Sequence, residues 1–564
     1  MLEFNSITTR SDLADYLGIP RKLLSYVLYI AKVDSYYVEF DIKKKSGKLR
    51  HICSPTNELK GIQRQIADSL YKYQEQIRIR YNIKSNISHG FEKNKSIISN
   101  ACVHRNKRYI INVDLKDFFD SFHFGRVSGY FQKNKYFELS YEVSTILAQL
   151  SCYKGKLPQG SPCSPIIANL ICQIFDIKVI ALAKKYKLDY TRYADDLTFS
   201  TNNKTFTDRY QNFINDLENV VEKNGLHINP DKTSFQYRES KHCVTGITVN
   251  KILNVDHNYY KTVRSKAHSL YINDYYLNQG VKGTINQLEG MFSFIDQVDI
   301  AENKRIGKVA RNAHTLTARE RQYQKFLFYK YFYANPELMV ITEGKTDVVY
   351  IKCALRKLYK DYPGLITKNS DGSFTYNITF LRRSKRFRDL FALSLDGADA
   401  MAKLYENFFK ANNKHKHLET LEKLSGRKPL SPVIFIFDNE LITKDKPIEK
   451  FIRSLEKSLN ALHQLKNKGF IRLRGNLFLT ITPLVRSLNE CEIEDLFDNT
   501  TLNHQINGKT FSRDSDYDKN VHYGKDDFSK YVATNYRSID FSNFKRLLDN
   551  MQKIVIDYII LKGK

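Results

Sequence analysis

Three aspartates stand where a chain can deliver carboxylates to a single point. The apolar run 108–113 reads as a strand that ends on Asp114 and continues into Leu115-Lys116-Asp117-Phe118-Phe119, which puts an acid where the strand runs out. Residues 190–200 read as a tight hairpin with Tyr193-Ala194-Asp195-Asp196 at its tip and with Leu197 and Phe199 on one face. Transfer of a nucleotidyl group from a triphosphate calls for two hard cations about 4 Å apart, one to activate the attacking hydroxyl and one to neutralise the departing pyrophosphate. Clustered carboxylates are the ligands for such a pair. Without cations the same acids repel, and one of them takes up a proton. An isolated Asp-Asp pair is more often a solvated turn, so the weight falls on what accompanies it.

Between the two acidic segments lies Leu157-Pro158-Gln159-Gly160-Ser161-Pro162-Cys163-Ser164-Pro165, a Gly/Pro-rich loop that leads into a helix over 166–174 and lets backbone approach a base pair closely. In this order and spacing the three motifs resemble the reverse transcriptase family. The resemblance implies RNA-directed DNA polymerase activity, with Asp114, Asp195 and Asp196 as the catalytic aspartates holding two Mg²⁺. It places Gln159 near template and incoming nucleotide and makes Tyr193 the start of the Tyr-x-Asp-Asp box. Phe119 becomes the steric gate whose ring fills the space a ribose 2′-hydroxyl needs. Lys232 falls beside the triphosphate, where it would protonate pyrophosphate, although a surface lysine is the commoner role for any one Lys. Leu115 joins Phe119, Gln159, Tyr193 and Lys232 in the set expected to line the nucleotide site.

Two shorter segments, Asn100-Ala101-Cys102-Val103-His104 and Val244-Thr245-Gly246, look like motifs that set retron reverse transcriptases apart from intron, retroviral and diversity-generating relatives. The resemblance covers about residues 10–320. It implies that a cognate structured non-coding RNA is both template and primer, that dNTPs are the substrates, and that the product is short single-stranded DNA joined to the RNA. No Cys/His pattern of an intron-type endonuclease and no ribonuclease H region follows. An alternative stays open, in which the polymerase half mainly scaffolds RNA and DNA and so restrains the carboxy-terminal part.

That part opens with Leu338-Met339-Val340-Ile341-Thr342-Glu343-Gly344, a buried strand ending in an acid and a turn, then a helix over 348–359. A second strand, 433–437, ends at Asp438-Asn439-Glu440. Ligands gather at the carboxyl ends of parallel strands, so Glu343, Asp438 and Glu440 are expected to meet. The pattern resembles the TOPRIM fold, in which a glutamate and an Asp-x-Asp bind one or two Mg²⁺ for phosphodiester chemistry; here Asp438-x-Glu440 is longer by a methylene. Asp396-Gly397 is read as marking the middle strand. Glu492, Glu494 and Asp495 are either further ligands or solvated carboxylates. The resemblance implies a nuclease or a nucleic-acid-binding effector, used in anti-phage defence.

The elements that must position these groups form an α/β multidomain chain: a helical extension over 1–35, fingers and palm of a right-hand polymerase over 36–250, a helical thumb over 251–334, and a TOPRIM-like domain over 337–564. Two short helices are expected within 9–32, then strands around a basic turn at 43–48, then a helix from about Asn57. A length of 564 residues favours more than one core. The net charge of +28, spread along the chain with 37 Tyr and 35 Phe, suits a polyanionic partner and unpaired bases. The eight cysteines lie far apart without a Cys-x-x-Cys pair and read as reduced thiols. No segment reads as a membrane span and residues 1–10 have no export pattern, so a cytoplasmic, bacterial protein is expected, with homo-oligomerisation left open.

Overall fold

The computed structural model describes residues 4–43, 47, 49–84, 86–308, 315–393, 397–411, 413, 415–455, 458–514 and 516–563. Most of the basic turn expected over 43–48, and Asp396, lie outside the described residues. By internal packing the chain divides into two compact units: residues 1–257 with 297–307, and residues 258–296 with 308–564.

The first unit begins with helices Arg10–Leu17 and Arg21–Ser25, separated by Gly18 at φ +66°. Strands β1 (Tyr37–Lys43) and β2 (Leu49–Pro55) form an antiparallel hairpin, and helix Asn57–Arg80 follows, burying Leu59, Ile62, Ile66 and Leu70 along one stripe. The central sheet comprises β3 (Tyr109–Leu115), β4 (Asp189–Tyr193), β5 (Asp196–Thr201) and β6 (Ile228–Tyr237) in the order β4-β5-β3-β6, all antiparallel. Both faces of β5 are covered. Phe199 packs edge-on against Phe213 of helix Tyr210–Glu222, while Ser200 on the other face meets His104. A tight turn at Thr245-Gly246 joins β7 (Cys243–Val244) to β8 (Ile247–Thr248).

Helix Ser164–Lys185 corrects the reading that no segment resembles a membrane span, because its 22 residues are long and apolar enough to pass that test. Its apolarity is that of a core helix: Ile166, Ile167, Leu170, Ile171, Phe175 and Val179 are buried in the core of this unit. The expected end at 174 stops short because a helix apolar around most of its circumference shows no polar face to mark its continuation.

The second unit contains helix His257–Asn273 from its second residue, the short hairpin β9 (Leu277–Asn278) and β10 (Val281–Lys282), most of helix Ile285–Arg305, and helix Ala318–Phe328. Then come β11 (Leu338–Thr342), β12 (Ile366–Lys368), β13 (Phe374–Tyr376), β14 (Ile378–Phe380), β15 (Val433–Phe437), β16 (Phe470–Arg474) and β17 (Leu477–Ile481). The main sheet has the order β14-β11-β15-β17-β16, parallel except for β16. Strands β11, β15 and β17 are buried throughout, as apolar runs in a parallel sheet must be. Of the strands that follow β11 and precede β15 in sequence, β14 joins the main sheet, at its edge. Gly397, read as part of a middle strand, instead caps helix Ala398–Leu404.

Candidate active sites

Asp114 lies on β3 directly opposite Asp196 of β5 and opposite Asn229 of β6. Asp195 sits in the two-residue turn between Tyr193 and Asp196, and its carbonyl accepts a hydrogen bond from the Leu115 N–H at 3.0 Å. The three aspartates thus meet at one end of the two central strands of the palm sheet. Ala194 holds φ +56°, a conformation unusual for a residue with a Cβ, and its surroundings impose it. Arg192 Nη1 donates to the Ala194 carbonyl at 3.2 Å. The segment at Ile87 to Gly90 runs against β4, with the Arg192 N–H donating to Ile87 O at 2.9 Å and the His89 N–H donating to Arg192 O at 2.8 Å. A Cβ on Gly90 would lie 2.5 Å from the Ala194 nitrogen, so only glycine permits this approach.

Strand β6 bulges where it passes Asp114: Asn112 pairs with Ser234, whereas Asp114 pairs with Asn229. The extra residues, which include Pro230, swing Lys232 over the sheet edge. Its ammonium lies 2.8 and 3.0 Å from the two Asp114 oxygens, and Asn229 Nδ2 donates to Oδ2 at 2.9 Å. The Lys232 side chain remains 59% exposed. Burial, with the Asp195 and Asp114 charges added, pushes Asp196 up to about 6. Burial also raises Asp195, against the opposing fields of Lys232 and Arg50.

Behind the hairpin lies an ion pair cut off from solvent. The Arg192 guanidinium is 0% exposed and grips both oxygens of Asp176, at 2.9 and 2.8 Å, while Tyr190 OH also donates to Asp176. Asn169, on helix Ser164–Lys185, accepts from Arg192 and donates to the Gly90 carbonyl. The hairpin tip is therefore fixed by a satisfied buried network rather than by its own turn chemistry.

The two short motifs also converge. His104 bridges Ser200 Oγ at 2.8 Å and Thr191 Oγ1 at 2.7 Å, and Thr191 donates to Asn100 Oδ1 at 2.6 Å. Burial depresses His104 to about 3, so it stays a neutral tie between β4 and β5. Thr245 Oγ1 donates to the Ile97 carbonyl at 3.2 Å, joining the β7–β8 turn to the helix that carries Asn100.

Of the residues expected to line the nucleotide site, Phe119 is half-buried against Phe118 and Phe91, Tyr193 is half-buried, and Gln159 is exposed. The Gln159 carbonyl accepts from the Cys53 N–H on β2 at 2.9 Å; Gly160, at φ +135°, has no room for a Cβ beside Cys53 O. Leu115 points into the hydrophobic core, and its backbone N–H is what serves the hairpin. Arg50, Gly90, Asp176 and Arg192 escape the sequence reading. A basic residue on an expected strand could have signalled Arg50; nothing local distinguishes a buried arginine from an exposed one.

In the second unit, Glu343 follows β11 and Asp438 follows β15, and the Asp438 N–H donates to Glu343 Oε1 at 3.0 Å. Asp438 Oδ1 accepts from the Ile493 N–H at 2.8 Å. Burial raises Glu343 to about 7, and burial with the Glu343 charge raises Asp438 as well. Glu440 adds to the field on Glu343 but pairs with Lys446. Glu492 and Glu494 share Lys525, at 3.2 Å each, while Asp495 turns away to Arg513. Asp347, which the sequence reading passed over, accepts from the Gly344 N–H and adds its charge to both Glu343 and Asp438.

Both donor sets consist of hard carboxylate oxygens, the chemistry that suits Mg²⁺. In the first unit Asp196 is raised by burial and by the Asp195 and Asp114 charges, and a cation would offset those charges. In the second, Glu494 is 0% exposed and its Oε1 has no hydrogen-bond partner among the described residues. Both sets fit divalent cations on these grounds.

Residues 42–252 match the family model described as reverse transcriptase (RNA-dependent DNA polymerase). The chain is 33% identical over 302 residues to the retron Ec86 reverse transcriptase of Escherichia coli, covering 52% of this chain and 86% of that protein. It is 32% identical over 329 residues to the retron Mx162 reverse transcriptase of Myxococcus xanthus, covering 52% of this chain and 64% of that protein. Among solved structures, a telomerase from Candida albicans in complex with a fragment of telomeric RNA overlays with a TM-score of 0.31 at 13% identity, over 52% of this chain and 60% of that one, too slight a likeness to carry an argument.

Proposed function

The chain belongs to the retron reverse transcriptase family, and from that premise we propose that it copies a cognate structured non-coding RNA into short single-stranded DNA that stays joined to the RNA. The observation that carries this reading is the register that sets Asp114 opposite Asp196, with Asp195 in the adjoining turn. Asp114, Asp195 and Asp196 would hold two Mg²⁺, which when bound activate the primer hydroxyl and neutralise the pyrophosphate. Phe119, backed by Phe118 and Phe91, excludes a ribose 2′-hydroxyl. Gln159 orients template and incoming dNTP from a loop tied to β2. Lys232 releases Asp114 and presents its ammonium to the leaving phosphate oxygen. The basic helices after residue 257 grip the RNA–DNA duplex through its phosphates.

The second unit is proposed as a TOPRIM-like effector, a metal-dependent nuclease used in anti-phage defence within a bacterial cytoplasm. The meeting of Glu343 and Asp438 at the ends of parallel strands β11 and β15 supports this reading. The nucleic acid that copurifies with the full chain tests the first half: a short DNA covalently joined to a structured RNA is expected, and RNA alone would favour a scaffold that does not synthesise. Growth of cells expressing the chain without its RNA tests the second half. Toxicity relieved by Glu343→Ala is expected, and equal growth with and without that substitution would contradict it.

A further inference from the structure

The β1–β2 hairpin carries a different set of donors. In its register Glu39 stands opposite Cys53 and Asp41 opposite His51, and the two-residue period of a strand puts all four on one face. Among the described residues, the one group of three His, Cys, Asp or Glu ligand atoms lying within 4.8 Å of one another is Glu39, His51 and Cys53. The palm aspartates, one engaged by Lys232 and all of like charge, are not drawn so close.

Two of the three donors are already oriented. Asp41 Oδ1 lies 3.1 Å from His51 Nδ1, so the imidazole turns Nε2 toward Glu39 Oε2, 3.5 Å away. Tyr153 OH and Lys154 Nζ donate to the other Glu39 oxygen, at 2.7 and 2.6 Å, and leave Oε2 facing the histidine. A carboxylate behind an imidazole is how metal sites fix the ring's tautomer and raise its basicity.

We propose that this hairpin binds one Zn²⁺, or a similar first-row cation, through Glu39 Oε2, His51 Nε2 and Cys53 Sγ, with Asp41 supporting the histidine and a fourth position open to water. A thiolate and an imidazole select zinc over magnesium, and thiolate plus carboxylate balance its charge. Bond lengths of about 2.0–2.3 Å require the donors to close by roughly 1 Å, which side chains at a hairpin surface can do. No Cys-x-x-Cys spacing announces such a site, because the ligands come from two strands and only their register unites them. The Cys53 N–H also holds the Gln159 carbonyl, so metal at Cys53 would be felt by the loop that carries Gln159.

Titration of the purified full chain with Co²⁺ tests the proposal, because a thiolate ligand gives a sulfur-to-cobalt charge-transfer band that the carboxylate sites cannot produce. The expected result is a band saturating near one Co²⁺ per chain at micromolar concentration, displaced by Zn²⁺ and absent in Cys53→Ser. Asp41→Asn should weaken binding by about 10- to 100-fold. Thermal melting of metal-free protein verifies that each variant is folded, and His51→Gln replaces Cys53→Ser if the latter is not. A missing band, a band that survives Cys53→Ser, or saturation only at millimolar cobalt would overturn the site.

Discussion

The palm and the second unit each gather carboxylates at strand ends, but they are held differently. In the palm, antiparallel register sets Asp114 against Asp196, and a fully buried arginine behind the hairpin fixes the Ala194-Asp195 turn that leads into Asp196. In the second unit, parallel strands bring Glu343 to Asp438, and the principal cation, Lys525, sits among the acids with its side chain about one-third exposed. Each set thus meets a partly exposed lysine, Lys232 at Asp114 in the palm and Lys525 at Glu492 and Glu494 in the second unit, and the palm adds a fully buried arginine, Arg192, paired with Asp176 behind its acids.

The largest expected effect follows from that difference. Arg192→Met would leave Asp176 buried and unpaired, and should lower the first unit's stability by about 3–5 kcal/mol. Lys525→Met should cost only about 1–2 kcal/mol, discounted for the exposure of its ammonium. Urea unfolding of both variants checks the order; equal losses would show that burial of Arg192 gives it no greater weight than Lys525.

The two sites also differ in the pH range over which their acids hold a proton. A carboxyl whose folded-state pKa lies above its unfolded value keeps its proton over a window in which the unfolded chain has already lost it. Stability is therefore highest below that window and falls as pH rises through it. For Asp196 the window runs from 3.8 to about 6, and for Glu343 from 4.5 to about 7. Each decline amounts to at most about 3–3.5 kcal/mol. Calorimetry in EDTA should show the Asp196→Asn chain losing the lower-pH part of the decline and the Glu343→Gln chain losing the upper part. Mg²⁺ should flatten both, and a decline indifferent to Mg²⁺ would contradict cation binding at either place.

Gly90→Ala comes third. The added methyl meets the Ala194 nitrogen and should cost about 1–3 kcal/mol while displacing the hairpin tip, read as slower DNA synthesis. The smallest effect is expected from Thr245→Val, which removes one hydrogen bond worth about 0.5–1.5 kcal/mol and separates the two short motifs. A larger loss of synthesis than of stability would mark that contact as one that positions the palm.

Much of the palm was legible because its information is local. An apolar run predicts β3, alternation predicts the hairpin β4–β5 with Asp195 and Asp196 at its tip, and the order of motifs singles out the acids that the register brings together. Arg192 and Asp176 stayed hidden because a buried ion pair is defined by what surrounds it in space. The bulge that delivers Lys232 depends on β6 pairing with β3, which no single segment encodes. In the second unit β11 and β15 stand out as apolar runs, whereas β14 is three residues long and carries no pattern. Asp347, inside a helix start, reads as an ordinary cap until the fold sets it beside Glu343.

Incorporation of labelled dNTP on an RNA template by the full chain, compared with the Asp195→Asn, Asp196→Asn double variant, tests the palm assignment most directly. Loss of synthesis by at least about 1000-fold, with the unfolding midpoint in EDTA no lower than that of the parent chain, is expected. Synthesis persisting within about tenfold of the parent in a folded variant would contradict it.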